Sequence, residues 1–311
     1  MNTPSQTGET LLPSSAKPAA APPDLSRQLR LLAICTGVLA LSFALPLIAL
    51  ARFALHSDLY SHILLIPFVS VYLAGLKKKD LSPCSEPDRK LAALPVAAGL
   101  LLLTGYGFAL RSGLKLAPVD SLAWTSASFL VLFIGACFFC LGKRTLRCLA
   151  FPLAFLILAV PFPVSIKDAI ETFLQHGSAD AAELLFGLAG TPLLRHGVDF
   201  QLPGFRLEVA PECSGIRSTL VLVISSLVAG QLFLRSPWKR LLFAVIVIPL
   251  GIFRNALRIV TLGELCIHVD PGFIDSSLHR RGGPVFFVLS LIPFLLLLYY
   301  LRKTDVHTLK R

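Results

Sequence analysis

The chain has 311 residues, of which 55% are apolar and only 15% charged, and its formal net charge is +11. Apolar residues in such excess, gathered into blocks between short charged loops, exclude a soluble globular domain and describe an all-α polytopic integral membrane protein. The positive charge is of the kind that membrane loops carry and implies no nucleic-acid partner; the sequence holds no phosphate-binding glycine loop and no Ser-His-Asp hydrolase signature.

Residues 1–28, rich in Pro, Ala, Ser and Thr and without an apolar period, are expected to form a disordered cytoplasmic tail, and 29–311 a transmembrane domain. A bilayer core of roughly 30 Å needs about 20 residues of apolar helix, because unpaired backbone amides are not tolerated in lipid. Eight blocks meet that pattern, near 29–51, 60–76, 91–110, 121–142, 146–162, 215–234, 238–262 and 284–301. The first comes late and is long, which marks an anchor rather than a cleaved signal peptide. The second is short and contains Pro67, and the fifth ends in Pro161-Phe162-Pro163, so both are expected to be tilted or partly re-entrant. With the amino terminus inside, the inner segments carry 18 Lys and Arg against 8 outside, while Arg217, Arg254 and Arg258 fall within helices. That bias predicts eight spans with both termini cytoplasmic, and it places Cys213 on the outer face.

The longest outer segment, 163–213, has its own pattern. Residues 166–189 interleave Ile166, Ile170, Phe173 and Leu174 with Asp168 and Glu171, as an interfacial helix does. Residues 196–209 alternate apolar and polar around Pro203-Gly204, which predicts a hairpin delivering Cys213 to the membrane surface. There the polar run Glu212-Cys213-Ser214-Gly215-Ile216-Arg217-Ser218 opens the sixth span. Alone, such a cysteine would be an inert small residue. Two further features lie on the same face: Asn255 and Arg258, three apart at the end of the seventh span, and His279 in the loop before the last. An arginine at that depth is costly unless it is paired or lines a polar cavity.

These three residue types suit acyl transfer through a thioester. A thiolate attacks an amide carbonyl, a fixed guanidinium stabilises the oxyanion, and a histidine holds or returns a proton near neutral pH. Arginine is a poor base, so Arg258 is read as an electrostatic stabiliser, with proton donation less favoured. Arg217, one turn after Cys213, either lowers the thiol pKa, meets an acidic substrate group, or pairs with Glu212 or Glu208. His62, at the outer end of the second span, is read as a packing or hydrogen-bonding residue before a catalytic one. Arg254, one turn before Arg258, faces a helix neighbour or a polar cavity.

No metal or cofactor is expected. Cys137 and Cys140 form a C-x-x-C inside an apolar helix without a histidine, and the spacing of His268, Asp270, Asp275 and His279 matches no metal motif. All seven cysteines are expected to be free thiols.

The sequence resembles the exosortase/archaeosortase family of membrane transpeptidases. The resemblance rests on Glu212 to Ser218, on Asn255-Ala256-Leu257-Arg258, and on His279 followed four residues later by Gly283. Upstream it rests on Tyr60 to Pro67, Phe151 to Leu156, and Arg195 to Gly204, so it runs from about residue 56 to 287. It implies Cys213 as nucleophile, Arg258 and His279 as catalytic partners, and Arg217, Asn255, Glu212 and His62 as supporting or substrate-binding residues. It also implies the substrate: a secreted protein ending in a short motif such as Pro-Glu-Pro, a transmembrane helix and a basic cluster, cut at the outer face of a bacterial inner membrane and passed to an acceptor. Bacterial members of this kind accompany exopolysaccharide production. The competing class is a non-enzymatic transporter or scaffold of polysaccharide export. A transporter would show midplane charges, matched broken helices or repeated halves, whereas here the polar residues crowd one surface.

Overall fold

The computed structural model describes residues 25–77, 88–270, 272–273 and 283–308. It is helical apart from one small sheet. Helices α1 (Leu25–Ser42) and α2 (Ala44–His56) lead through a 3-10 turn (Ser61–Leu64) to α3 (Ile66–Leu76), α4 (Arg89–Arg111), α5 (Pro118–Cys148) and α6 (Ala150–Phe155). Then come α7 (Val164–Ala189), the sheet, α8 (Ile216–Phe233), α9 (Pro237–His268) and α10 (Gly283–Thr308).

Among the described residues, α4, α5, α8, α9 and α10 are each long and apolar enough to cross a membrane, and two bent pairs raise the count to seven if each is one span. Their outward residues are apolar, as with Leu94, Leu101 and Phe108 on α4, which suits lipid and not water. The eight expected blocks thus become five to seven, for local reasons. The first block breaks by 77° between α1 and α2. Pro46 lies in the first turn of α2 and offers no N–H to the carbonyl of Ser42, so the helix cannot run through. The second block yields only the 11 residues of α3, because its start is spent on the 3-10 turn. The fifth block ends in a 3-10 turn (Leu156–Ala159) and bends by 92° into α7 at Pro161-Phe162-Pro163. Helix α1 begins at Leu25, inside the region expected to be tail, with Arg27 and Arg30 at its exposed end.

The expected hairpin is a three-stranded antiparallel meander, β1 (Leu194–His196), β2 (Asp199–Leu202) and β3 (Phe205–Glu208), with Asp199 opposite Glu208 and Leu202 opposite Phe205 across the Pro203-Gly204 turn. It packs on α7 and on the far end of α9 around Ala182, Phe186, Phe200, Leu207, Ala256 and Ile259. Helix length explains the arrangement. The 32 residues of α9 span ~48 Å at 1.5 Å each, whereas the 18 of α8 span ~27 Å, so the last turns of α9 project beyond the start of α8 and need another partner. Helix α7 supplies it with a stripe at four-residue spacing, Leu174, Ser178, Ala182 and Phe186, all buried. Arg195 locks the sheet to α7 through Asp180 (2.6 Å) and Glu183 (2.7 Å). Burial works against its charge, but those hydrogen bonds outweigh it and hold the guanidinium pKa above its ordinary value.

Helices α8 and α9 touch closely at Gly251, where a Cβ would fall 2.6 Å from Thr219 Oγ1. At the opposite end from the sheet, Leu222, Leu234, Phe243, Val247, Phe294 and Leu301 fill the core of α8, α9 and α10.

Candidate active site

The chain leaves β3 at Glu208 and turns through a single 3-10 turn, Pro211–Cys213, before α8 begins at Ile216. Two backbone hydrogen bonds close that turn, from the Cys213 N–H to the Ala210 carbonyl (2.8 Å) and from the Ser214 N–H to the Pro211 carbonyl (3.0 Å). Gly215 is the N-cap of α8 with φ +76°, a conformation that side-chain-bearing residues rarely adopt. A Cβ there would also sit 3.0 Å from Arg254 Nη2 and 3.1 Å from Asn255 Cγ. The turn is therefore pressed against α9 with no room to spare.

Helix α9 holds it from the other side. Asn255 Nδ2 donates to the Cys213 carbonyl at 2.7 Å, and Gln175 Nε2 of α7 donates to the Val209 carbonyl just upstream. Cys213, Asn255 and Arg258 line one small cavity of about 30 Å³ with Glu208, Val209 and Ile259. Three of the residues singled out in the sequence thus meet, on elements far apart in the chain: the 3-10 turn supplies the thiol and successive turns of α9 the amide and the guanidinium. Cys213 and Arg258 are both half-buried, sheltered yet reachable.

The other candidates are placed differently. Arg217 pairs with Asp58 at 3.2 Å, both well exposed. This pair ties the start of α8 to the end of α2. His62 donates from Nδ1 to the Leu59 carbonyl (3.0 Å) beside the Tyr60 ring, and does not line the cavity of Cys213. Glu212 belongs to the 3-10 turn. His279 lies outside the described residues.

Sequence reading left the surroundings of the thiol turn undefined. Arg254 is only 5% exposed, its Nη2 reaches the Gly215 carbonyl at a long 3.4 Å, and its Nη1 has no hydrogen-bond partner among the described residues. Ser214, 1% exposed, and Thr219 likewise bury hydroxyls without a partner among the described residues. Polar groups in that state are expensive, on the order of 1–3 kcal/mol each for neutral groups and more for a charge. Their concentration around one turn sets this end of α8 apart. Arg254 and Arg258 are one helical turn apart, which marks a single face, but nothing in a lone sequence says that α8 covers it.

Chemically, the arrangement puts a thiol at the mouth of a helix amino terminus, where the dipole is positive, with guanidinium groups on the facing helix. Among the described residues no group of His, Cys, Asp and Glu is gathered closely enough to hold a metal ion. His268 instead pairs with Glu264 at 3.1 Å.

The sequence profile of the transmembrane exosortases matches residues 54–296, more than three quarters of the chain. The chain belongs to the transmembrane exosortase family. The matched span holds the cavity whole, from Leu207 to Leu262, and also the segment of His279. With membership come a multi-pass membrane setting and, in general terms, protein sorting of the transpeptidase type. Comparison with curated proteins and with solved structures finds no match.

Proposed function

We propose that the chain is a cysteine protease-transpeptidase that cuts a carboxy-terminal sorting signal at the outer membrane face. One observation carries the reading: Cys213 shares its cavity with Asn255 and Arg258. The Cys213 thiolate attacks the scissile carbonyl carbon, and as the S–C bond forms the C=O π pair moves onto oxygen to give a tetrahedral oxyanion that Arg258 holds. Asn255 keeps the thiol turn in place through the Cys213 carbonyl. Collapse expels the amine of the membrane-helix fragment, which takes its proton from His279 or, less favourably, from Arg258. The body of the substrate remains as a thioester on Cys213, and an acceptor nucleophile or water resolves it. The substrate is a secreted protein whose signal combines a short motif of the Pro-Glu-Pro type or a variant, a transmembrane helix and a basic cluster. Lateral entry of that helix from lipid explains a nucleophile at the surface, on a helix-start turn.

The test is processing of a reporter carrying such a signal, co-expressed with wild type, Cys213→Ala, Arg258→Gln or His279→Ala, with membrane levels matched. Only the wild type should shorten the reporter, and mass spectrometry of the new terminus then separates transfer from hydrolysis. Undiminished processing by Cys213→Ala would refute the thiol mechanism and favour the transporter or scaffold reading.

A further inference from the structure

At the end of the bundle opposite Cys213, α8 passes into α9 through Leu234, Arg235 and Ser236, and the last turns of α10 pack beside that link. A cleft of about 310 Å³ opens there, lined by Arg235, Arg240, Arg302, Phe233 and Asp305 among others. Its charges are unbalanced. Asp305, 5% exposed, is already engaged: it accepts from the backbone N–H of Arg235 (2.5 Å) and of Ser236 (3.3 Å) and meets Lys239 Nζ at 3.4 Å. It thus caps the amino terminus of α9 and leaves the arginines without it.

Each arginine comes from a different element. Arg240, on α9, is anchored by donating to the Leu234 carbonyl (2.9 Å) and to Gln231 Oε1 (2.7 Å), which leaves other N–H donors available. Arg302, on α10, lies over the Phe233 ring, 5.8 Å from its centroid. Arg235 sits in the link itself. Among the described residues no carboxylate forms an ion pair with any of the three. The cleft's shoulder is apolar and outward: Leu232, Phe233 and Trp238 are all exposed, and tryptophan is a residue type that favours the boundary between headgroups and acyl chains.

Guanidinium forks match phosphate oxygens, and basic pockets between membrane helices suit anionic headgroups. We propose that this cleft binds the phosphate of an anionic lipid headgroup, with the acyl chains lying along the Phe233 and Trp238 shoulder. A choline lipid would bring an ammonium group to a cleft that is already positive and is therefore discriminated against. The site is remote from Cys213, so the proposal stands apart from the catalytic reading.

Native mass spectrometry of the full chain, released from detergent after incubation with equal amounts of phosphatidylglycerol and phosphatidylcholine, tests it. Wild type should retain phosphatidylglycerol preferentially. Arg235→Gln/Arg302→Gln, which leaves the anchored Arg240 intact, should lose that preference, with phosphatidylglycerol retention falling by about tenfold or more. Excess inorganic phosphate should leave the bound lipid in place. Equal retention of the two lipids by wild type, or an undiminished preference in the double variant, would overturn the proposal; displacement by inorganic phosphate would overturn the lipid source. Should the double variant fold poorly, the wild-type competition decides alone.

Discussion

Two enclosed arginines, Arg195 on β1 and Arg254 on α9, are treated in opposite ways. Arg195, its side chain 14% exposed, is met by Asp180, by Glu183 and by the Gly197 carbonyl at 2.6 Å, while its cation faces the Phe200 ring. Arg254 is more deeply enclosed and has one long contact with the Gly215 carbonyl. At the join between sheet and helix, Arg195 is answered by two carboxylates of α7, which is how a small subdomain is held to a helix. Around the thiol turn, the Arg254 charge and two hydroxyls have no full set of partners among the described residues, an arrangement the proposed reaction would use for the charge it develops. The first region is built for stability; the second departs from that rule beside a cysteine that shares its cavity with Arg258 and Asn255.

The largest effect that would break this contrast is at Cys213. Cys213→Ser should lower processing by a factor on the order of 10⁴ or more, to the background of the uncatalysed reporter, since loss of a nucleophile removes the covalent route. Retention of even a tenth of wild-type processing would mean that the thiol region is not a reaction centre. Arg258→Gln should come next, with a loss of roughly 10²–10³ in turnover, the usual effect of deleting one oxyanion donor. The measurement is initial rate at saturating substrate, with Cys213 alkylation as a check that the turn is intact. A change confined to KM would make Arg258 a substrate-binding residue.

Gly215→Ala addresses geometry rather than chemistry. A methyl group at φ +76° is strained by about 1–3 kcal/mol, and it would also push on Arg254 and Asn255. The expected outcome is a lower Tm together with impaired processing, because Asn255 holds the Cys213 carbonyl. The corresponding Gly190→Ala, at the left-handed cap of α7 with open space around it, should lower Tm by the strain alone and spare processing.

Why the first region was largely legible and the second only partly so follows from these residues. Alternation over 196–209 and the Pro203-Gly204 turn report strand period and reversal locally, and β2 and β3 form there. Cys213, Asn255 and Arg258 stand out because polar residues at the ends of apolar blocks are few. Hydropathy, by contrast, counts residues whether or not they share one helix, so the breaks at Pro46 and at Pro161-Phe162-Pro163 turned whole blocks into bent pairs. Partners distant in sequence were out of reach as well: Arg217 finds Asp58, and the burial of Arg254 depends on how closely α8 crosses α9 at Gly251. Ser214 and Thr219 look like ordinary helix-start residues until that crossing buries their hydroxyls.

The smallest effect is also the sharpest test of the contrast, because it is one of sign. Replacing Arg195 by Met abandons Asp180 and Glu183, but both carboxylates are well exposed and stay solvated, so the loss should be only about 1 kcal/mol. Replacing Arg254 by Met removes a buried charge that no described residue balances and fills its place with apolar atoms, so stability should rise by about 1 kcal/mol. Thermal unfolding of the two variants in the same detergent should therefore move Tm down for Arg195→Met and up for Arg254→Met. The gain should carry a penalty at the thiol: with a neighbouring cation gone the thiolate is less favoured, and alkylation of Cys213 at neutral pH should slow severalfold. A fall in Tm for both variants would mean that Arg254 is as well satisfied as Arg195, and the distinction between the two regions would go with it.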